Sequence, residues 1–152
     1  MTLEEIVIVV NGKIKKMSVL RGLFCGLALN LNVFHSTIAN DMPVGAEVQS
    51  GNVKISGPTQ DHMIIDQSSN KSIINWNGFS IHKNGRVDFK MPSSSSSSLN
   101  RVTGSTPSTI AGQLNSNGKV LIINPNGVMI TKEGVVKTGS FTASTLDIKN
   151  ED

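Results

Sequence analysis

The apolar positions of this chain come in short alternating pieces, broken by Asn, Gly, Ser and Thr. In NVKIS, Asn52 to Ser56, Val53 and Ile55 fall on one face and Lys54 on the other, the period of two that marks a half-buried strand. HMIIDQ follows from His62, then the polar turn SSNKS. Between Ser72 and Met91, the same-face pairs Ile74 and Trp76, Phe79 and Ile81, and Val87 and Phe89 predict three strands. Asn77-Gly78 and Asn84-Gly85 separate them, and Asn-Gly favours turns because both residues tolerate positive φ. Further strands are predicted at Val120 to Ile123, Val128 to Thr131, Val135 to Lys137, Phe141 to Thr142 and Thr145 to Ile148. Asn40 to Ala46 reads as an extended lead-in.

The strand-sized pieces recur every 6–10 residues or so, near the spacing of all-β folds. Many are too short for hairpins of long strands. Short strands with Asn and Gly at the corners and Val and Ile inside suit a solenoid of stacked coils. Stacked corners also let Asn side chains hydrogen-bond from coil to coil, with no ligand involved. On periodicity alone a β-sandwich remains an alternative. The six serines Ser93 to Ser98 follow Pro92 without an apolar residue among them, and predict an exposed, mobile loop.

Composition sharpens this picture at the N-terminus. Lys13, Lys15, Lys16 and Arg21 form a basic segment, and GLFCGLALNLNV, Gly22 to Val33, is apolar except for Asn30 and Asn32. That segment falls short of the ~20 apolar residues a membrane span needs. STIA follows, with Thr37 and Ala39 as small residues. Basic, apolar, small is the order of a secretory signal peptide, expected over residues 1–39, helical or unstructured, and cut between Ala39 and Asn40. The sixteen residues before Met17 fit this leader poorly, so a start at Met17 and an extended basic region both stay open. Cys25, the one cysteine, lies inside the leader. The mature chain would cross an oxidising compartment with no disulfide to form. Phe24 stands where a lipid-attachment site needs a small residue.

The formal charge of the chain is +3, but from Asn40 onward 10 basic side chains face 9 acidic ones. The basic excess is thus mostly in the leader, and no basic stripe argues for nucleic acid. Catalysis finds little support. Asp61 and Asp66 are the nearest central acidic pair, and no Ser/His/Asp order stands out, whereas sugar-cleaving sites need clustered carboxylates. His62 and His82 are isolated, which disfavours a metal centre. His62 beside Asp61 reads as a solvated turn pair. No cofactor is implied. Asn124-Pro125-Asn126-Gly127 is a tight turn by composition: Pro125 fixes φ and pushes Asn124 out of the α region, and Asn126 and Gly127 accept left-handed conformations. Outward amides on such a turn would suit recognition by another domain. Trp76, the only tryptophan, alternates with Ile74 and reads as core or cap. Arg101 suits a buried pair or backbone contact as well as a contact with a partner.

INWNGFSIHKNGRVDF, LNRVTG, PSTIAGQL, SNGKVLIINPNGV and TASTLDI occur in this order. Together they resemble the N-terminal secretion domain of two-partner secretion exoproteins. These are the filamentous-haemagglutinin-like adhesins, haemolysins and contact-dependent toxins of Gram-negative bacteria. The resemblance covers about Val44 to Ile148. It implies an all-β, right-handed parallel β-helix with a few antiparallel capping strands, and a domain spanning residues 40–152 that a longer body would follow. It implies passage through the Sec translocase, then recognition in the periplasm by an outer-membrane β-barrel transporter with POTRA domains, and export to the cell surface or medium. Asn124, Pro125, Asn126 and Gly127 match the family's hallmark export motif. Asn75, Trp76, Asn100 and Arg101 fall where its other marked segments lie. Contact with a host glycan or receptor would belong to the body. The alternative is an adhesion module in which rows of exposed Asn, Ser and Thr bind glycans or host receptors directly.

Overall fold

Alternating side chains become, over most of the chain, strands stacked in parallel. The computed structural model describes residues 3–10, 13–20 and 42–147, and the chain divides into two units, residues 1–35 and 36–152. In the first unit, β1 (Leu3–Val10) pairs antiparallel with β2 (Lys13–Leu20), Val10 opposite Lys13. The leader was expected to be helical or unstructured. Its first described residues are instead two antiparallel strands. The physical reason is local: IVIVV is a β-branched run that favours strand, and Asn11-Gly12 is turn sequence. The apolar segment and the cleavage position at Ala39 and Asn40 lie outside the described residues.

The second unit is a parallel β-helix of about four coils, with no helix among the described residues. Its first face holds β4 (Val53–Thr59), β5 (His62–Gln67), β7 (Arg86–Lys90), β10 (Gln113–Ser116) and β13 (Val135–Lys137). The second face holds β3 (Glu47–Ser50), β6 (Lys71–Trp76), β8 (Ser97–Val102), β11 (Lys119–Ile123) and β14 (Ser140–Ser144). β9 (Ser108–Ile110) and β12 (Val128–Ile130) form the third, which an isolated bridge from Ile81 to Ile110 extends by one coil. Parallel ladders join β5 to β7, β7 to β10 and β10 to β13, and likewise β6 to β8, β11 and β14. Parallel stacking of every coil excludes the sandwich, whose strands are antiparallel. At the N-terminal end β3 runs antiparallel to β6 and β4 antiparallel to β5. These are the expected caps. Each is the outermost strand of its sheet.

Register puts like positions in columns. Val87, Leu114 and Val136 align on the first face, Ile74, Asn100 and Ile122 on the second, and Ile81, Ile110 and Ile130 on the third. Except for Ile130 and Val136 in the last coil, these side chains are buried. All three predicted same-face pairs point inward, and Trp76 meets Phe79 edge to face with ring centres 5.3 Å apart, a favoured aromatic geometry.

Four local expectations change. Phe79 to Ile81 contributes an isolated bridge and no full strand. The lead-in continues into β3, which the pattern did not mark. Thr145 to Asp147 is not strand. The serine run is only half a loop: Ser93, Ser94 and Ser95 are exposed, but Ser96 and Ser98 are buried and Ser97 begins β8. The last serines enter the core because the interior supplies partners. Ser72 Oγ donates to Gln67 Oε1 (2.7 Å) and accepts from the Ser98 hydroxyl (3.0 Å), and a buried hydroxyl so paired avoids the cost of lost solvation.

Candidate functional site

The Asn124–Gly127 turn joins the second face to the third at the end of β11. Asn124 O accepts from Gly127 N at 2.9 Å, and Gly127 sits at φ 109°. Pro125 in second place and glycine in fourth suit such a turn. The two asparagines divide the work. Asn124 is 0% exposed. Its Nδ2 donates to Thr106 O (3.0 Å) and Ser108 Oγ (2.9 Å), and its Oδ1 accepts from Asn126 N (2.9 Å) and Asn126 Nδ2 (3.2 Å). The Asn124 amide therefore faces inward, against the expectation of an outward one. Position explains it: Val120 and Ile122 are buried, so strand alternation turns Asn124 inward as well. Pro125 and Asn126 are exposed. Asn126 also donates to Gly104 O in the coil before, at 2.9 Å, the hydrogen bond along the stack that corner asparagines suggest.

The other marked residues gather on the same side of the solenoid, on two levels. Trp76 and Asn100 are buried, and Trp76 Nε1 donates to Asn100 Oδ1 at 3.0 Å. Asn100 Nδ2 reaches Ser98 O and Leu121 O, both at 3.3 Å. This pair is interior scaffold. Asn75, Arg101 and Ile123 form the neighbouring ladder column, and Asn75 is half-buried. Arg101 Nε donates to Asp147 Oδ1 at 2.8 Å. Arg101, Gly104, Ile123, Pro125, Asn126 and Asp147 line a cleft of about 420 Å³. Asp147, Gly104, Thr106 and Ser108 were not singled out in the sequence. Gly104 alone carried a signal, since its backbone packs on Asn77 where a Cβ would collide, the close approach that only glycine allows.

The histidines find partners that sequence adjacency did not give. His62 Nε2 lies 2.7 Å from Asp88 Oδ2, one coil away, not against Asp61. His82 Nε2 lies 3.2 Å from Asp61 Oδ1, without the alignment of a hydrogen bond. Asp88 also accepts from Arg86 Nε (2.8 and 2.9 Å) and Asn115 Nδ2 (2.9 Å). Burial is the largest single influence on Asp88 and raises its pKa. The hydrogen bonds from Arg86, Asn115 and His62, with the Arg86 charge, together outweigh it and hold the carboxyl below its ordinary 3.8. Among the described residues no three His, Cys, Asp or Glu side chains gather as a metal site.

Comparison with known proteins matches residues 39–152 to the family model of the TPS secretion domain. Two curated heme/hemopexin-binding proteins of Haemophilus influenzae are similar. One is 40% identical over 111 residues, 73% of this chain and 12% of its own length. The other is 38% identical over 109 residues, 72% and 12%. The chain thus spans about an eighth of these relatives. The crystal structure of the HMW1 secretion domain from Haemophilus influenzae superposes with a TM-score of 0.68 at 41% identity, covering 72% of this chain and 29% of that one.

Proposed function

Since the chain belongs to the TPS secretion domain family, we propose that a POTRA-bearing outer-membrane β-barrel transporter recognises it in the periplasm through the exposed Pro125–Asn126 corner and the cleft beside it. Secretion targeting is the role of such a domain, not catalysis. One observation carries the finer reading: a fully buried Asn124 locks the turn from below, so Pro125 and Asn126 are displayed without freedom. A surface already fixed in its bound shape loses little entropy on docking. Arg101 lines the cleft beside the corner, Asn75 stands one coil beyond it in the same column, Gly127 sets the closing angle, and Trp76 with Asn100 supports the column from inside.

The route begins with Sec-dependent entry to the periplasm through a leader of residues 1–39, cut between Ala39 and Asn40. The family match starting at residue 39 supports that boundary. Release at the cell surface or into the medium follows. Any contact with a host glycan or receptor made by a longer polypeptide belongs to its other parts.

The test is export in cells that produce this chain with its own outer-membrane transporter. Pro125→Ala and Asn126→Ala should lower the secreted fraction by about tenfold, as losing about 1.4 kcal/mol of recognition would, while purified Pro125→Ala melts like the parent and Asn126→Ala, which gives up its bond to Gly104 O, loses about 1 kcal/mol of stability. Asn124→Ala should lower stability and export together, by about 2–3 kcal/mol for its stranded partners. Normal export of both Pro125 and Asn126 variants would defeat the reading.

A further inference from the structure

The first face of the solenoid turns a second prepared surface outward, away from the Asn124–Gly127 corner. Val87 and Phe89 are buried, so alternation along β7 points Arg86, Asp88 and Lys90 outward. The parallel ladder places Asn115 beside Asp88 and Lys137 beside Asn115. Adjacent strands lie about 4.8 Å apart, so three coils bring these groups within reach of one small molecule. Arg86, Asp88, Lys90, Asn115, Asn117 and Lys137 line an open cleft of about 420 Å³.

Its polar groups are held in place. Asp88 accepts Arg86 Nε, Asn115 Nδ2 and His62 Nε2. This fixes the guanidinium by one nitrogen and leaves its terminal nitrogens toward solvent. It also fixes the Asn115 amide by its nitrogen and leaves Oδ1 as a free acceptor. Asn117 clamps the Met91 backbone, Oδ1 accepting from Met91 N at 2.8 Å and Nδ2 donating to Met91 O at 2.7 Å. Lys90 and Lys137 make no ion pair among the described residues. Asp66, the ladder neighbour of Lys90, makes none with it and does not line the cleft. Three cations against one carboxylate leave the cleft positive, while the mature domain as a whole is nearly neutral.

We propose that this cleft binds a carboxylate-bearing sugar, with Arg86, Lys90 and Lys137 on the carboxylate and Asn115 Oδ1 receiving a sugar hydroxyl. A fixed amide acceptor beside a cationic rim suits an acid that also carries hydroxyls. No aromatic ring lies open on this cleft, since Phe89 points inward, so binding rests on ionic and hydrogen-bond contacts and weakens with salt.

The experiment titrates the full chain with an oligogalacturonate and, separately, with a neutral maltooligosaccharide of equal length, followed by calorimetry at low and high salt. The expected result is binding of the uronate alone, weaker at high salt, and weakened about tenfold by Lys90→Gln or Lys137→Gln, the loss of one charge-assisted hydrogen bond. Both lysines are exposed, so an unchanged circular-dichroism spectrum certifies the fold. Asn126→Ala should bind like the parent. Absence of uronate binding at millimolar concentration overturns the proposal. So does equal binding of the neutral sugar, indifference to both lysine variants, or equal competition by oligoglutamate, which would mark the cleft as a seat for acidic protein.

Discussion

Asn124 and Asn126 are chemically identical and two positions apart, yet one is sealed in the solenoid and the other displayed. Their composition announced a turn. Which amide faced out depended on the parity of β11, whose inward positions Val120 and Ile122 carry Asn124 with them. Recognition and stability should therefore separate by residue, as the export experiment requires. Asp88 offers a second test at this scale. Its pKa is depressed in the fold, so its contribution is fully present above the unfolded value, and is lost as pH falls through the depressed one. Asp88→Asn should cost about 1–3 kcal/mol near neutrality and flatten the acid limb of the stability–pH curve, read by urea denaturation between pH 2 and 7. An acid limb unchanged in the variant would assign acid unfolding to other carboxylates. Neither the His62–Asp88 contact nor the Arg101–Asp147 pair was legible beforehand, because each joins residues that only coil stacking brings together.

Strands were read well where alternation was clean, as in NVKIS and RVDFK, because side-chain parity is a local property. They were read poorly where an element owes its existence to its neighbours. β3 has no buried face and exists by pairing with β6. Ser97 and Ser98 extend β8 because Ser72 and Gln67 wait inside. Corners follow the same logic. Gly112 does not adopt positive φ, but a Cβ there would strike the carbonyls of Gly85 and His82 in the preceding coil. Gly112→Ala should destabilise by about 1–3 kcal/mol through overpacking. Gly127→Ala meets no atom within 4 Å and should cost only about 1–2 kcal/mol of left-handed backbone strain. Thermal melts of the two variants compare these costs directly, and a tolerant Gly112 would show that the coils can spread.

At the scale of the whole solenoid the two ends differ. At the N-terminal end the outermost strands are β3 and β4, which run antiparallel to their neighbours. At the other end β13, β14 and β12 are the outermost strands of their sheets. The inward position Ile130 is 45% exposed, and Val136 and Phe141 are half-buried. Stability in stacked repeats is a sum of coil and interface contributions, and strands with one neighbour open first. Amide exchange should run at least about tenfold faster in β13 and β14 than in β8 and β10. Uniform protection across the stack would mean the coils open as one body.

The sequence by itself determined the class of this protein. Period-two alternation, Asn and Gly corners and five ordered motifs all act locally, and local chemistry is what a single chain displays. The tertiary structure decided the rest. It brought Asn126 against Gly104 of the coil before, joined Arg101 to Asp147, and assembled the Asp88 cluster from three successive coils. Those outcomes depend on register between strands more than twenty residues apart, and register is set by the packing of a whole core, which no short stretch contains.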